Sequence, residues 1–232
     1  MKNYFVCLFL ASQIFAIGGF GVYGAREMFT QKGTSSEARS GLYRFQSYPF
    51  ENSNGLGFFI YTDLLPFIDL EYSGEFNFQI YEMSVDALVP NLVIGEKTDF
   101  AWGKTSNYFT VKKEIIGFKI PIVAKASVNG GLGYNTHQVM PKLTPTLIEN
   151  ALEDTEVFNV EGYSLTQEDT DKIVEYILDN REKYSGFHIQ AGVHGRLLAF
   201  NLFINARYTI ADNVIEGKSG FPSIWTGVAL GF

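Results

Sequence analysis

The last ten residues of the chain, 223–232, alternate strictly between two kinds of side chain. One side carries apolar residues and a threonine, and the other carries small residues and the indole of Trp225. The two sets are Ile224, Thr226, Val228, Leu230 and Phe232 against Trp225, Gly227, Ala229 and Gly231. Because successive side chains of a strand point to opposite faces, this pattern predicts a β-strand with one apolar face.

Seven earlier segments show the same two-residue period, at 17–27, 56–63, 68–80, 107–115, 118–132, 187–197 and 200–210. The segment 68–80 is the clearest, because six apolar residues alternate there with six polar residues. Most of the eight segments have the length of roughly ten residues that a tilted membrane strand needs. The pattern therefore predicts eight strands that each have one apolar face.

The connections between these segments alternate in length. Long connections at 30–54, 83–105, 138–184 and 212–221 follow the first, third, fifth and seventh strands, whereas the others are short, including a turn at Ile116 and Gly117. Bacterial outer-membrane barrels have short periplasmic turns and longer extracellular loops. The sequence thus predicts an all-β fold, an eight-stranded antiparallel up-and-down transmembrane β-barrel. Eight strands leave an interior just wide enough for side chains to fill.

Composition supports membrane-facing surface and excludes some partners. Aromatic residues make up 16% of the chain, and charged residues make up 19%, below the roughly 25% of soluble domains. The formal charge of −7 argues against a nucleic-acid partner, which requires a basic surface. Alternation alone does not say which face points inward, so a soluble lipocalin-like barrel that binds an apolar ligand is a second interpretation.

The first residues resemble an export signal. Residues 1–16 combine an early Lys2 with an apolar core and Ala16 at the cleavage position, so we predict a signal peptide at 1–16 and a barrel at 17–232. Cys7 is the only cysteine and lies in this leader, which excludes a disulfide.

The terminal strand resembles the closing strand of bacterial outer-membrane β-barrels. The resemblance is carried by Gly227, Val228, Leu230 and the terminal Phe232, and the architecture is similar to small OmpA-type and OmpX-type barrels. It implies the outer membrane of a Gram-negative-type bacterium, contact with membrane lipid and lipopolysaccharide, and reading of the terminal signature by the barrel-assembly machinery. The resemblance implies a location and a fold but no activity. The role that we predict for the barrel is structural, adhesive or surface-interacting, with no cofactor.

The third long connection has features of its own. Residues 144–154 fit a short helix, and Thr166 followed by Asp169 fits a capping box that opens a helix to about Asn180. The connection holds eleven acidic and four basic residues, a formal charge of −7. It either meets an extracellular partner or divalent cations, or it is a solvated acidic lid on the barrel rim, which charge runs favour.

The polar faces of the strands predict a charged lumen. Strand 68–80 sends three carboxylates inward, and the fifth to seventh strands supply three cations, so we expect ion pairs among Asp69, Glu71, Glu75, Lys125, Arg196 and Arg207. Counting from the short turns puts Glu75, Lys125 and Arg207 at a similar height and Asp69 with Arg196 lower. We therefore expect ion pairs within each of these two groups.

An enzyme is a further alternative, because some small outer-membrane barrels modify lipids with a serine and a histidine near the outer rim. Ser185, His188 and Glu182 are the candidates here. Three residues so close in one strand do not usually converge into a nucleophile, a base and an orienting group, so we assign no catalytic residue.

Overall fold

The computed structural model of the chain describes residues 18–38, 43–62, 68–87, 97–120, 123–153 and 166–231. Within these residues the chain forms ten β-strands and two α-helices. The strands are β1 (Gly18–Gln31), β2 (Thr34–Ala38), β3 (Tyr43–Ser47), β4 (Phe50–Thr62), β5 (Asp69–Ala87), β6 (Thr98–Ile120), β7 (Ala124–Val139), β8 (Glu182–Leu197), β9 (Phe200–Ile210) and β10 (Gly220–Gly231). The helices are α1 (Pro145–Leu152) and α2 (Gln167–Asp179). The predicted signal peptide and Phe232 lie outside the described residues.

Eight of the strands close into a barrel, which confirms the predicted fold class. The strands β1 and β4 to β10 pair in antiparallel order, β1 pairs with β10, and β5 pairs with β6. The remaining strands, β2 and β3, form a hairpin. Its strand β3 takes the place of β4 along the last residues of β5, where Tyr43–Ser47 pairs with Met83–Ala87. Closure gives every barrel strand a paired neighbour on each side, which a strand in lipid requires.

The predicted turn at Ile116 and Gly117 is wrong. Strand β6 continues to Ile120, and Ile116 and Gly117 pair with Val128 and Ser127 of β7. The register shifts between Glu114 and Ile116, as at a β-bulge, so the two-residue period changes phase there. That change of phase looks like a strand end in the sequence, although the ladder continues through it.

Two of the predicted long loops are largely strand. The region 30–54 contains β2, β3 and the start of β4, and the region 83–105 contains the end of β5 and the start of β6. These strand extensions carry polar residues on both faces at many positions, such as Asn52, Ser53 and Asn54. The apolar alternation that marks a membrane-spanning strand is therefore missing there, although the ladder persists.

The two predicted helices of the third loop are confirmed. Thr144 caps α1 by accepting a hydrogen bond from the Leu147 amide at 3.2 Å. Thr166 and Asp169 form the capping box of α2, with the Thr166 amide donating to the Asp169 carboxylate at 2.9 Å. Within the described residues no helix is long and apolar enough to cross a membrane.

The barrel wall is apolar on its outside and polar on its inside. Outward residues such as Phe20 and Leu56 are more than half exposed, whereas inward residues such as Glu71 and Asn77 are buried. This arrangement is the reverse of a soluble barrel, so the lipocalin-like interpretation is wrong. The outer face needs hydrocarbon rather than water around it.

Candidate functional site

Aromatic side chains fill the lumen at the end of the barrel that carries the short turns. The Trp225 ring lies 4.8 Å from the Tyr23 ring and 5.4 Å from the Phe59 ring, measured between centroids. Phe203 packs edge-on against Phe59 at 5.0 Å, and Tyr61 lies beyond both. All five side chains are buried. This layer closes the lumen with apolar contacts at the short-turn end, which we call the lower end.

A buried arginine organises the middle of the lumen. Arg207 Nη1 lies 3.6 Å from Glu75 Oε2, and Arg207 Nε donates to Gln190 at 3.3 Å. The guanidinium carbon lies 3.7 Å from the centroid of the Tyr108 ring. Glu75 also accepts a hydrogen bond from the Tyr23 hydroxyl at 3.0 Å. The planar, permanently charged guanidinium can stack and donate at the same time, which an ammonium cannot.

Two further ion pairs lie on either side of this centre, the first nearer the short turns and the second nearer the long connections. The Lys112 ammonium donates to Glu71 at 2.6 Å, and Gln190 donates to the other Glu71 oxygen at 3.1 Å. Lys104 donates to Glu27 at 2.6 Å, and both side chains are fully buried. Each pair has additional hydrogen bonds, as buried charges require.

The structure places the six predicted lumen residues unequally. Glu71, Glu75 and Arg207 are buried in the network, and Glu75 and Arg207 lie together. Lys125 does not reach Glu75, because it pairs with Glu114 at 2.8 Å near the short-turn end. Strand tilt separates residues that counting from the turns sets at one height.

The other two predicted residues lie near the ends of their strands. Arg196 is half-buried and donates from Nε to the carbonyl of Leu198 at 2.8 Å, in the turn that follows β8. Asp69 is half-buried at the first position of β5. Both are therefore outside the central network.

Sequence reasoning missed Glu27, Lys104 and Lys112. Glu27 continues the inward series of Tyr23 and Ala25, and Lys112 continues that of Tyr108 and Thr110, so the two-residue period alone contains the signal for both. Lys104 fell in the region predicted as a loop. Its side chain is inward because β6 begins at Thr98 rather than after 105.

The serine and histidine considered for catalysis lie on opposite sides of the wall. His188 is buried in the lumen, where Nε2 lies 2.9 Å from the Thr110 hydroxyl. Ser185 is three residues away on the same strand and is exposed. Alternation along β8 thus prevents these two residues from forming a nucleophile–base pair.

A second apolar core closes the other end of the barrel, and we call it the cap core. Its residues come from the upper ends of the strands, from both helices and from the connection 211–219 between β9 and β10. It consists of Phe29, Phe45, Phe50, Tyr81, Met83, Trp102, Val139, Leu147, Ile148, Ile173, Ala211, Val214, Ile215 and Phe221. The described parts of the long connections are therefore packed together over the barrel mouth.

The outer surface of this unit is acidic along α2. The helix carries five acidic residues and one lysine. Lys172 lies 2.8 Å from Glu168 one turn earlier, and the hydrogen bond to that carboxylate raises the pKa of the Lys172 ammonium. Among the residues described, no group of three or more His, Cys, Asp or Glu side chains is arranged to hold a metal ion.

Together, the wall and the lumen define a class of protein. The barrel has an even number of antiparallel strands, an apolar exterior, a polar interior, short turns at one end and long connections at the other. These are the properties of bacterial outer-membrane barrels. The chain is an integral outer-membrane β-barrel, with the cap core on the extracellular side.

Comparison with known proteins gives similar structures but no family. No protein-family model matches the chain, and no curated protein matches it. Similar solved structures include Ail, the attachment invasion locus protein of Yersinia pestis, at 9% identity and a TM-score of 0.39, covering 93% of this chain and 99% of that chain. Neisserial surface protein A has 10% identity, coverages of 92% and 97%, and a TM-score of 0.39. OprG of Pseudomonas aeruginosa has 10% identity, coverages of 92% and 93%, and a TM-score of 0.43.

Proposed function

We propose that this barrel is a non-conducting membrane anchor that presents a rigid acidic cap for binding an extracellular partner. The observation that carries the proposal is the cap core, which joins the described parts of the long connections into one packed unit. Loops that only shield a barrel mouth have no need of a shared apolar core, whereas a recognition surface requires loops held in fixed positions.

The lumen argues against a transport role. Ion pairs and aromatic side chains occupy it from Phe203 near the short turns to Lys104 below the cap core. A water-filled path would have to displace buried charges that are hydrogen-bonded to their partners. Eight-stranded barrels have no spare interior for such a path.

The cap exposes a surface on α2 that fits a basic and partly apolar partner. Ile173 is 7% exposed and packs into the cap core, whereas its neighbour Val174 is 50% exposed. Leu178, one turn later, is also exposed. These two apolar side chains lie among carboxylates, which complement a partner that combines cationic and apolar groups.

The first experiment tests the closed lumen. Purified barrel is inserted into planar lipid bilayers, and current is recorded across a range of voltages. We expect no stepwise conductance. Regular open-channel steps from the wild-type protein would overturn the non-conducting part of the proposal.

The second experiment tests recognition by the cap. Proteoliposomes are titrated with a fluorescent helical peptide of lysine and leucine, and with a peptide of equal charge in which serine replaces leucine. We expect tighter binding of the first peptide, lost when Glu168, Asp171, Glu175 and Asp179 are changed to their amides. The double change Val174→Ser with Leu178→Ser should abolish the preference for leucine. Asp99→Asn, a single neutralisation outside α2, is the control, and equal binding by all variants would contradict the proposal.

A further inference from the structure

The lipid-facing wall contains an apolar groove of about 410 Å³ that crosses β8, β9 and β10. Ala191 and Ala206 lie side by side in its floor, because they are paired in the β8–β9 ladder. The larger side chains of Ile189, Tyr208 and Ile224 stand around them. Small residues between large ones therefore leave a trough in this part of the wall.

The groove continues to the seam between the first and last barrel strands. The β1–β10 ladder ends at the pair of Glu27 with Ser223, and the next outward residues, Met28 and Pro222, line the groove above that point. Pro222 lies beyond the last β1–β10 pair, so its missing backbone N–H leaves no hydrogen bond of that ladder unmade. The groove thus lies in the half of the wall nearer the cap.

An arginine stands beside this groove on the same outward face. Arg26 is paired with Ile224 of β10 and with Asn54 of β4. Its side chain is exposed and forms no ion pair or hydrogen bond within the described residues. It follows Phe20, Val22 and Gly24 on the outward face of β1, so it sits where the apolar belt ends on the extracellular side.

We propose that Arg26 and the groove together bind one molecule of a phosphorylated glycolipid of the outer leaflet, the lipid A part of lipopolysaccharide. The phosphate is held by the Arg26 guanidinium, whose fork of N–H donors matches phosphate oxygens. An acyl chain fills the trough over Ala191 and Ala206.

The position of the two features selects this occupant. A cation at the outer boundary of an apolar belt needs an anionic headgroup, and a trough that starts beside it and runs toward the membrane centre fits a chain attached to that headgroup. Arginine on the lipid face costs little near the membrane interface, so a phosphate contact there can make the position of Arg26 favourable. The groove lies in the half of the wall nearer the cap, and this half faces the outer leaflet, which lipopolysaccharide occupies.

The test is native mass spectrometry of the detergent-purified barrel, titrated with lipid A, with lipid A lacking its phosphates, and with phosphatidylglycerol. We expect one tightly bound lipid A per barrel and weaker binding of the other two lipids. Arg26→Gln should weaken lipid A binding about tenfold, as for the loss of one charge-assisted hydrogen bond, whereas Arg26→Lys should weaken it less. Lys113→Gln, an outward cation outside the groove, should leave binding unchanged.

Filling the trough tests the acyl-chain part separately. Ala206→Leu and Ala191→Leu should each lower the affinity for lipid A while the barrel still migrates differently in boiled and unboiled gel samples, which shows that it is folded. Equal binding of lipid A by wild type, Arg26→Gln and the folded trough variant would overturn the site. Preference for phosphatidylglycerol over lipid A would overturn the assigned occupant.

Discussion

Lys104 and Glu27 form an ion pair with a separation of 2.6 Å at a point of the lumen where neither side chain is exposed. The two residues are 77 positions apart in the chain and belong to β6 and β1. The Ser53 hydroxyl donates to the second oxygen of Glu27 at 2.9 Å, so the carboxylate has partners on both sides.

Breaking this pair from either side should destabilise the barrel. Glu27→Gln leaves a buried ammonium and Lys104→Met leaves a buried carboxylate, and each should lower the free energy of unfolding by about 3–5 kcal/mol. The double variant should lose much less than the sum of the two changes. Urea unfolding of the protein in lipid vesicles, followed by tryptophan fluorescence, measures these values.

The matched control for that cycle is an exposed ion pair. Lys97 and Glu82 lie 2.8 Å apart with half of each side chain exposed, and Lys97→Met should cost no more than about 1 kcal/mol. Additive losses in the Glu27 and Lys104 cycle would show that water solvates each charge separately.

Arg207→Lys should destabilise the barrel although it preserves the charge. Lysine cannot stack on Tyr108 while donating to Gln190 and approaching Glu75, so we expect a loss of about 1–3 kcal/mol in the same unfolding assay. Arg44→Lys, at an exposed pair with Glu37, should be nearly neutral. Equal effects at the two positions would mean that only the charge of Arg207 matters.

Gly227→Ala should disturb the aromatic layer of the lower lumen. A Cβ atom at this position would lie 2.8 Å from Cβ of Tyr23 and 2.9 Å from the carbonyl oxygen of Val22, so the β1–β10 seam must shift. Overpacking of this kind costs about 1–3 kcal/mol. Gly195→Ala is the control, because nothing lies within 4 Å of its added Cβ, and it should keep or raise the unfolding midpoint.

Ile173→Asp should release α2 from the cap without unfolding the barrel. The substitution places a carboxylate in the cap core, so backbone amides of α2 should exchange with deuterium faster, while gel migration of the unboiled sample stays that of a folded barrel. Val174→Asp, one residue away but exposed, should leave exchange in α2 nearly unchanged. Equal exchange in the two variants would mean that α2 is not held by the cap core.

Deletion of Phe232 should reduce the amount of protein that reaches the outer membrane. The resemblance to outer-membrane barrels implies that this terminal residue is part of the signal that the assembly machinery reads. Membrane fractionation with a gel of boiled and unboiled samples measures the folded amount. Phe200→Ala, which removes an outward aromatic residue at the same end of the barrel, should have the smaller effect. An unchanged amount of folded protein after the deletion would show that Phe232 is not part of the assembly signal.

The sequence alone determined the barrel, because two features of its construction are local. Alternation along a strand assigns each side chain to one face without reference to any other strand, as in 68–80 and 223–232. A capping box is equally local, so Thr166 and Asp169 predicted the start of the second helix of the third loop. The strand ends do not follow from this alternation, because the bulge near Glu114 changes the phase of the pattern and the upper strands carry polar residues on both faces.

Which residues meet depends on contacts between strands. The alternation placed Glu71, Glu75 and Arg207 inside the barrel, but the tilt of the strands determines which of them share a height, and it brings Lys112 to Glu71 and Lys104 to Glu27. The cap core draws apolar side chains from segments that looked like polar loops, and the lipid-facing groove depends on Ala191 and Ala206 being neighbours across two strands. These contacts are properties of register and closure, which arise between strands and leave no period within any one of them.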